Sequence, residues 1–122
     1  MLSVMIVDDN PDMRRLIKSI ISDIASSVVE CADGSQAIQA YAEHRPDWVL
    51  MDIEMKPVDG ISATREIKSA FPAARILIVT EYNDPDWREE ARLAGAAGYV
   101  LKDNLAEVRR ILQAESRRSR SE

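Results

Sequence analysis

The chain has 122 residues, 46% of them apolar and 30% charged, which suits one globular domain with its own core. No apolar run approaches the ~20 residues of a membrane span, and no charged segment precedes the first apolar run as in a secretory signal, so a cytoplasmic location is expected. The net charge of −5 argues against nucleic acid as the main ligand of the folded body, despite an arginine-rich segment near the end.

The first half of the chain alternates between the two periodicities of regular structure. In chain order it predicts a strand over residues 2–7, a helix marked by Met13, Leu16, Ile17, Ile20, Ile21 and Ile24, a strand at Val28, Val29 and Cys31, a helix marked by Ala37, Ile38, Tyr41 and Ala42, and a central strand over residues 48–52. Asp9 or Asn10 can cap the first helix, and Pro11 fits its first turn. The lone Cys31 excludes an internal disulfide and is expected to be a small buried hydrophobe.

The second half continues the alternation after a loop that contains Pro57 and Gly60. It predicts a helix marked by Ile61, Ala63, Thr64, Ile67 and Phe71, a strand over residues 75–80, a helix marked by Trp87, Ala91, Leu93 and Ala94, a strand over residues 98–102, and a last helix marked by Leu105, Val108, Ile111 and Leu112. We therefore expect one domain over residues 1–115, followed by a polar tail rich in Arg and Ser over residues 116–122.

Five strands that alternate with five helices predict an α/β fold with a parallel sheet, doubly wound and covered by helices on both faces. The carboxyl ends of parallel strands meet at one edge of such a sheet, where ligands bind. The central strand ends in Asp52, the first strand in Asp8 and Asp9, and the last two in Thr80 and Lys102. Three acids, a hydroxyl and an amine should therefore converge on one edge.

Three carboxylates at close range oppose each other's ionisation, so such a cluster normally needs a cation. Oxygen ligands without His or Cys suit Mg²⁺. A carboxylate in such a site can act as a nucleophile towards a phosphoryl group and give an aspartyl-phosphate. Lys102 would supply positive charge to the transferred oxygens, and Thr80 would supply a hydroxyl donor.

Each of these residues also has an ordinary structural interpretation. Asp8 and Asp9 could form a turn and a helix cap, Asp52 could be a residue of the turn that follows its strand, Thr80 could cap a helix, and Lys102 could be a surface charge. The functional interpretation is favoured because all the features fall at the same end of four different predicted strands.

The same residues carry a family resemblance. The chain resembles a response-regulator receiver domain of two-component signalling, from Met1 to about Gln113. The matching segments are Ile6-Val7-Asp8-Asp9, Met51-Asp52-Ile53-Glu54-Met55 with Asp59-Gly60, Val79-Thr80, and Gly98-Tyr99-Val100-Leu101-Lys102. The stretch from Gly95 to Asp103 is most similar to receivers attached to DNA-binding domains of the LuxR/NarL type. The resemblance implies a flavodoxin-like sheet in the order 2-1-3-4-5.

The resemblance also implies roles for particular residues. Asp52 would be the phosphorylation site, and Asp8, Asp9, Asp52 and the backbone carbonyl of Glu54 would bind Mg²⁺. Thr80 and Lys102 would contact the phosphoryl group. Tyr99 matches the switch aromatic, which turns inward as the Thr80 hydroxyl moves towards the phosphate.

Three positions depart from the family pattern. Lys56 stands where the family usually has Pro, with Pro57 one residue later, so the geometry of the loop beside the site is open. Glu81 follows the switch Thr where a small residue is usual, and a bulky acid there would narrow access or repel phosphate. Asp103 replaces the Pro that usually follows the Lys, which disfavours a cis peptide bond.

The leading hypothesis is a phosphorylation-controlled switch rather than a conventional enzyme. A sensor histidine kinase or a small phosphodonor would phosphorylate Asp52, and the face built from the fourth helix, fifth strand and fifth helix would bind a partner or form a homodimer. Transcription would then be regulated through a DNA-binding domain outside this chain, with no direct nucleic-acid or membrane binding by this domain.

Two further hypotheses come from other classes of protein. Glu81 and Lys56 favour a pseudo-receiver that acts as a docking module without phosphorylation. A haloacid-dehalogenase-like hydrolase would use Asp52 as nucleophile, but Glu54 stands where those enzymes typically have an acid-base Asp, and the Asp8-Asp9 pair fits them poorly.

Overall fold

The computed structural model describes the backbone of residues 2–121 and the side chains of residues 2–114. Within that part of the chain, five strands and five α-helices alternate. In chain order they are β1 (Leu2–Val7), α1 (Pro11–Ile21), β2 (Ala25–Cys31), α2 (Ala37–His44), β3 (Trp48–Met51), α3 (Gly60–Ala70), β4 (Ile76–Thr80), α4 (Pro85–Ala94), β5 (Gly98–Leu101) and α5 (Ala106–Ser121).

The strands form one parallel sheet in the order β2-β1-β3-β4-β5, which confirms the predicted fold class and strand order. β1, β3 and β4 lie inside the sheet and are almost continuously apolar, because helices cover both of their faces. Two apolar clusters fill the spaces on the two sides of the sheet, one containing Met51 and Ile78 and the other Leu50 and Leu77.

Several element boundaries differ from those expected from the sequence. Ile24 lies beyond the end of α1, Phe71 is the C-cap residue of α3, and Leu105 precedes α5. Lys102 is not the last residue of β5 but begins a short 3₁₀ turn, Lys102–Asn104. The side chains of Ile24, Phe71 and Leu105 still pack on the core, so the periodic apolar pattern extends past the backbone hydrogen bonds that define each helix.

The edge strand β2 begins at Ala25, three residues earlier than the apolar residues predict. Its first residues include Ser26 and Ser27, whose exposed side chains give no apolar signal. Ser27 is nevertheless aligned with Ser3 of β1, because pairing with an existing strand satisfies the backbone whatever the side chains are.

Other local predictions can be compared with the structure directly. Asn10 is the N-cap of α1, and its side chain accepts hydrogen bonds from the amides of Asp12 and Met13. Cys31 is buried, as expected. The peptide bond Lys56–Pro57 is cis, whereas Lys102–Asp103 is not among the cis bonds of the described residues.

The backbone of α5 continues into the predicted polar tail as far as Ser121, and the side chains of residues 115–122 lie outside the described part. The domain boundary at residue 115 stays a prediction. Between residues 2 and 121 we find no helix with the length and apolar character needed to cross a membrane.

Candidate functional site

Three carboxylates meet at the carboxyl edge of the sheet because two adjacent strands end there. Asp8 follows β1 and Asp52 follows β3, and the two strands are hydrogen-bonded neighbours. Asp8 is 2% exposed and Asp52 is 5% exposed, whereas Asp9 is exposed to solvent. One carboxylate oxygen of each of the three residues lies within 4.8 Å of the others. The predicted acidic cluster is therefore present.

Lys102 brings an amine to the two buried acids. Its Nζ lies 3.0 Å from a carboxylate oxygen of Asp8 and 3.4 Å from one of Asp52. The side chain is about as enclosed as its partners, with 10% of its surface exposed. Three carboxylates facing one ammonium leave the edge with excess negative charge.

The local electrostatics make Asp52 unusually basic. Burial, together with the nearby carboxylate of Asp8, raises the pKa of Asp52 to about 6, although Lys102 and the amide of Ile53 oppose the rise. Burial alone would lower the pKa of Lys102, but the two carboxylates outweigh it and the pKa is raised. Lys102 therefore stays charged at neutral pH. Asp52 is mostly ionised at neutral pH but takes up a proton as the pH falls towards 6.

Hydrogen bonds from the backbone fix the two buried carboxylates. The amide of Asn10 donates to Oδ1 of Asp8 at 2.9 Å, and the amide of Ile53 donates to Oδ1 of Asp52 at 2.9 Å. In both residues Oδ2 is the oxygen that faces Lys102. The orientation of each carboxylate is thus set before any ligand binds.

The loop after Asp52 depends on Gly60, which starts α3. A Cβ at this position would lie 1.8 Å from the backbone oxygen of Asp52, so only glycine allows this approach. The amide of Gly60 donates to the carbonyl of Ile53, and the carboxylate of Asp59 caps α3 by accepting from the amide of Ser62. The backbone at Asp52 can therefore take this path only with glycine at position 60.

A chain of hydrogen bonds runs from Thr80 to Tyr99. Thr80 ends β4 with no exposed surface, and its Oγ1 accepts from the amide of Tyr82 at 3.3 Å. The carbonyl of Tyr82 accepts from the hydroxyl of Tyr99 at 2.6 Å. The ring of Tyr82 stacks on Trp87 of α4, with ring centroids 6.1 Å apart. Thr80 and Tyr99 are thus connected through a residue that the sequence analysis did not single out.

The acidic cluster opens into a cleft of about 280 Å³. The residues that line it are Asp9, Asn10, Asp52, Glu54, Met55, Lys56, Thr80, Glu81, Tyr82 and Lys102. Both departures near the acids, Lys56 and Glu81, therefore lie at the cleft. The neighbouring carboxylate of Glu54 raises the pKa of Tyr82 to about 12.

Two contributors to the site were missed by sequence reasoning. Tyr82 lies between the fourth predicted strand and the fourth predicted helix, and its position two residues after Thr80 is the signal for a contact near the strand end. Arg14 has no distinguishing signal in the sequence, because it looks the same as its neighbour Arg15, whose side chain is exposed to solvent. Its guanidinium contacts Asp8 and Glu30, and these contacts depend on the packing of α1 against β2.

The donor set fits a hard divalent cation. All three side-chain ligands offer oxygen, and the exposed position of Asp9 leaves the solvent side of the cluster open for water ligands, which Mg²⁺ usually keeps. A doubly wound sheet in this order, with an acidic cluster at its carboxyl edge, defines the class of CheY-like α/β domains.

Comparison with known proteins identifies the family within that class. The family model described as "Response regulator receiver domain" matches residues 4–114, and the chain belongs to this family, the receiver domains of two-component response regulators. The chemotaxis protein CheY of Bacillus subtilis is 39% identical over 112 residues, which cover 91% of this chain and 92% of that protein.

Two further similar proteins are described as regulators. The oxygen regulatory protein NreC of Staphylococcus epidermidis is 33% identical over 123 residues, which cover 94% of this chain but 56% of that protein, so the chain spans about half of the longer regulator. The crystal structure of a LuxR-family two-component response regulator from Aurantimonas sp. SI85-9A1 is 37% identical and superimposes with a TM-score of 0.87, covering 93% of this chain and 84% of that one.

Proposed function

We propose that this domain accepts a phosphoryl group on Asp52 in a reaction that depends on Mg²⁺. The observation that carries the proposal is the arrangement around Asp52, whose carboxylate lies at the end of β3 with Lys102 at 3.4 Å and two further carboxylates within 4.8 Å. A carboxylate so placed is an oriented nucleophile, and its neighbours supply charge for the transferred group.

The reaction transfers a phosphoryl group from a donor to Asp52, so one bond to phosphorus forms as another breaks. A carboxylate oxygen of Asp52 attacks the phosphorus of a phosphohistidine on a sensor kinase, or of a small phosphodonor, as the bond from phosphorus to the leaving group breaks. Lys102 contacts the transferred oxygens through its ammonium, and Thr80 contacts them through its hydroxyl. Asp8, Asp9, Asp52 and the carbonyl of Glu54 would hold Mg²⁺, which would neutralise charge on the phosphoryl group.

Hydrolysis of the aspartyl-phosphate returns Asp52 to its starting form. The domain is therefore a phosphoacceptor switch that promotes its own phosphorylation and dephosphorylation, not a conventional enzyme. We place it in the cytoplasm, where its kinase partner and the small phosphodonors are found.

The output is proposed to pass from Thr80 to the face of α4, β5 and α5. The hydrogen bonds from Thr80 through Tyr82 to Tyr99 give a physical connection to β5, and the stacking of Tyr82 on Trp87 extends it to α4. When Thr80 moves towards the phosphoryl group, Tyr99 changes its position, and a partner-binding or dimerising face changes with it. In a longer regulator that carries a DNA-binding domain, this face would control that domain.

The proposal is tested by intact-mass measurement after incubation with acetyl phosphate. The parent should gain the mass of one phosphoryl group in Mg²⁺ and not in EDTA, and Asp52→Asn should gain none. If Asp52→Asn is labelled as well as the parent, the assignment of Asp52 is wrong.

A docking module that works without phosphorylation is the second candidate, because Glu81 places a carboxylate at the cleft and Lys56 replaces the usual residue there. No labelling of the parent, together with no change in Trp87 emission on addition of Mg²⁺, would favour this candidate. Trp87 reports on the cleft because it stacks on Tyr82.

A further inference from the structure

Arg14 of α1 brings a cation beside the acidic cluster, yet its contact there is with a backbone carbonyl. Its Nη1 donates to the backbone oxygen of Asp8 at 2.6 Å, and its Nε donates to a carboxylate oxygen of Glu30 at 3.0 Å. The side chain is only 18% exposed. A planar guanidinium can make two such bonds at once, and Glu30 on β2 determines the direction in which it points.

These contacts fix the peptide group that joins the two acids. The carbonyl of Asp8 accepts from Arg14, while the amide of Asp8, which belongs to the preceding peptide group, donates to the carbonyl of Cys31 at 3.1 Å. The carbonyl of Asp8 belongs to the same planar unit as the amide nitrogen of Asp9. Arg14 therefore sets the direction in which the backbone presents Asp9, the exposed member of the acidic cluster.

We infer that Arg14 is a positioning residue for the divalent cation. It holds the Asp8–Asp9 peptide so that both carboxylates reach one ion, while Glu30 keeps the guanidinium on the carbonyl and away from the carboxylates that the ion needs. This inference rests on the proposed function, because it concerns the same site. Residues that orient metal ligands in this way typically contribute about 10-fold to 100-fold in metal affinity.

The sign of the effect separates positioning from simple charge. Loss of a positive charge beside an acidic cluster should tighten the binding of Mg²⁺ if only long-range electrostatics matters. Loss of a positioning contact should weaken it. A residue that merely supports the fold would lower the free energy of unfolding and leave the affinity unchanged.

The identity of the ion provides a second criterion. Mg²⁺ requires nearly ideal octahedral geometry, whereas Ca²⁺ tolerates irregular arrangements of its ligands. If Arg14 acts through ligand geometry, its loss should reduce the affinity for Mg²⁺ more than the affinity for Ca²⁺. A change in charge alone would alter both affinities in the same direction and by similar factors.

The experiment is a titration of the full chain with MgCl₂ and with CaCl₂, followed by the backbone amide shifts in NMR spectra. Arg14→Gln should raise the dissociation constant for Mg²⁺ by about 10-fold or more, with a smaller rise for Ca²⁺. Arg15→Gln is the matched control, since it removes the same charge from an adjacent side chain that is 80% exposed and pairs with Asp12. It should change neither constant by more than about 2-fold.

Arg14→Lys keeps the charge but not the two-pronged geometry, so it should give an intermediate loss of Mg²⁺ affinity. It also serves as the deciding variant if Arg14→Gln does not fold. Unchanged or tighter Mg²⁺ binding in the folded variants overturns the inference while leaving the proposed function intact. A parent that binds no Mg²⁺ overturns both.

Discussion

The raised pKa of Asp52 makes a quantitative prediction about stability without metal. An acid whose pKa is higher in the folded state binds protons more tightly there, so folding is favoured as the pH falls. For Asp52 the rise runs from 3.8 to about 6. Each tenfold change in proton affinity corresponds to 1.36 kcal/mol, so the full contribution is about 3 kcal/mol. It is absent at neutral pH, appears as the pH falls through 6, and is complete below about 4.

The assay is urea unfolding of the parent and Asp52→Asn in EDTA at several pH values. Between about pH 7.5 and pH 5 the parent should gain about 1.4 kcal/mol in free energy of unfolding relative to the variant. Any cost of the substitution that does not depend on pH cancels in this comparison. So do the exposed acids with lowered pKa values, such as Asp23 and Glu89, because both proteins contain them.

Parallel pH profiles for the two proteins would refute this reasoning. They would mean that Asp52 titrates alike in the folded and unfolded states, and hence that burial and Asp8 do not raise its pKa. In saturating Mg²⁺, by contrast, parallel pH profiles are the expected result, because a bound cation favours the ionised form of Asp52 throughout the range.

Three further predictions concern the supports of the site, each measured by urea unfolding. Lys102→Met leaves Asp8 and Asp52 buried without their ammonium, and we expect a loss of ~3 kcal/mol at pH 7.5 that shrinks at pH 5; an equal loss at both values would contradict the pairing. Asn10→Ala removes the cap of α1 and should cost about 1 kcal/mol. Gln36→Ala should cost less, because the side chain of Gln36 makes no capping hydrogen bond and accepts only an exposed one from the amide of Ala32; equal costs would argue against the cap. Gly60→Ala places a Cβ against the carbonyl of Asp52, so it should cost about 1–3 kcal/mol in free energy of unfolding and weaken Mg²⁺ binding. An unaffected variant would show that the loop can move to make room for the methyl group.

The fold was predictable because two kinds of sequence pattern agree. The interior strands are apolar runs that end abruptly in a polar residue, so both the strand and its functional end are visible in the sequence, as Met51 followed by Asp52 illustrates. The edge strand was predicted less well. Ser26 and Ser27 carry no apolar signal. Ser27 pairs with Ser3 of β1, and Ser26, at an irregularity in the register, donates from its hydroxyl to the carbonyl of Leu2. Strand order came from the family resemblance, since periodicity carries no information about which strands are neighbours.

The acidic cluster was predictable for a similar reason, since topology brings strand ends together whatever the loops do. The contacts of Arg14 and Tyr82 were not predictable, because they depend on distances between elements that are far apart in sequence. Arg14 and Arg15 look alike in the sequence, and only the packing of α1 on β2 buries one of them against Asp8 and Glu30. Similarly, Tyr82 joins Thr80 to Tyr99 only once β4 and β5 pair.

The central claim is tested most directly by locating the phosphoryl group. Borohydride reduces an acyl phosphate to the alcohol, so treatment of the labelled protein converts a phosphorylated aspartate into homoserine, which peptide mass mapping detects. We expect homoserine at position 52 after incubation with acetyl phosphate and Mg²⁺, and none when EDTA replaces Mg²⁺. Homoserine at Asp8 or Asp9 instead, or label at position 52 that is independent of the metal, would contradict the account.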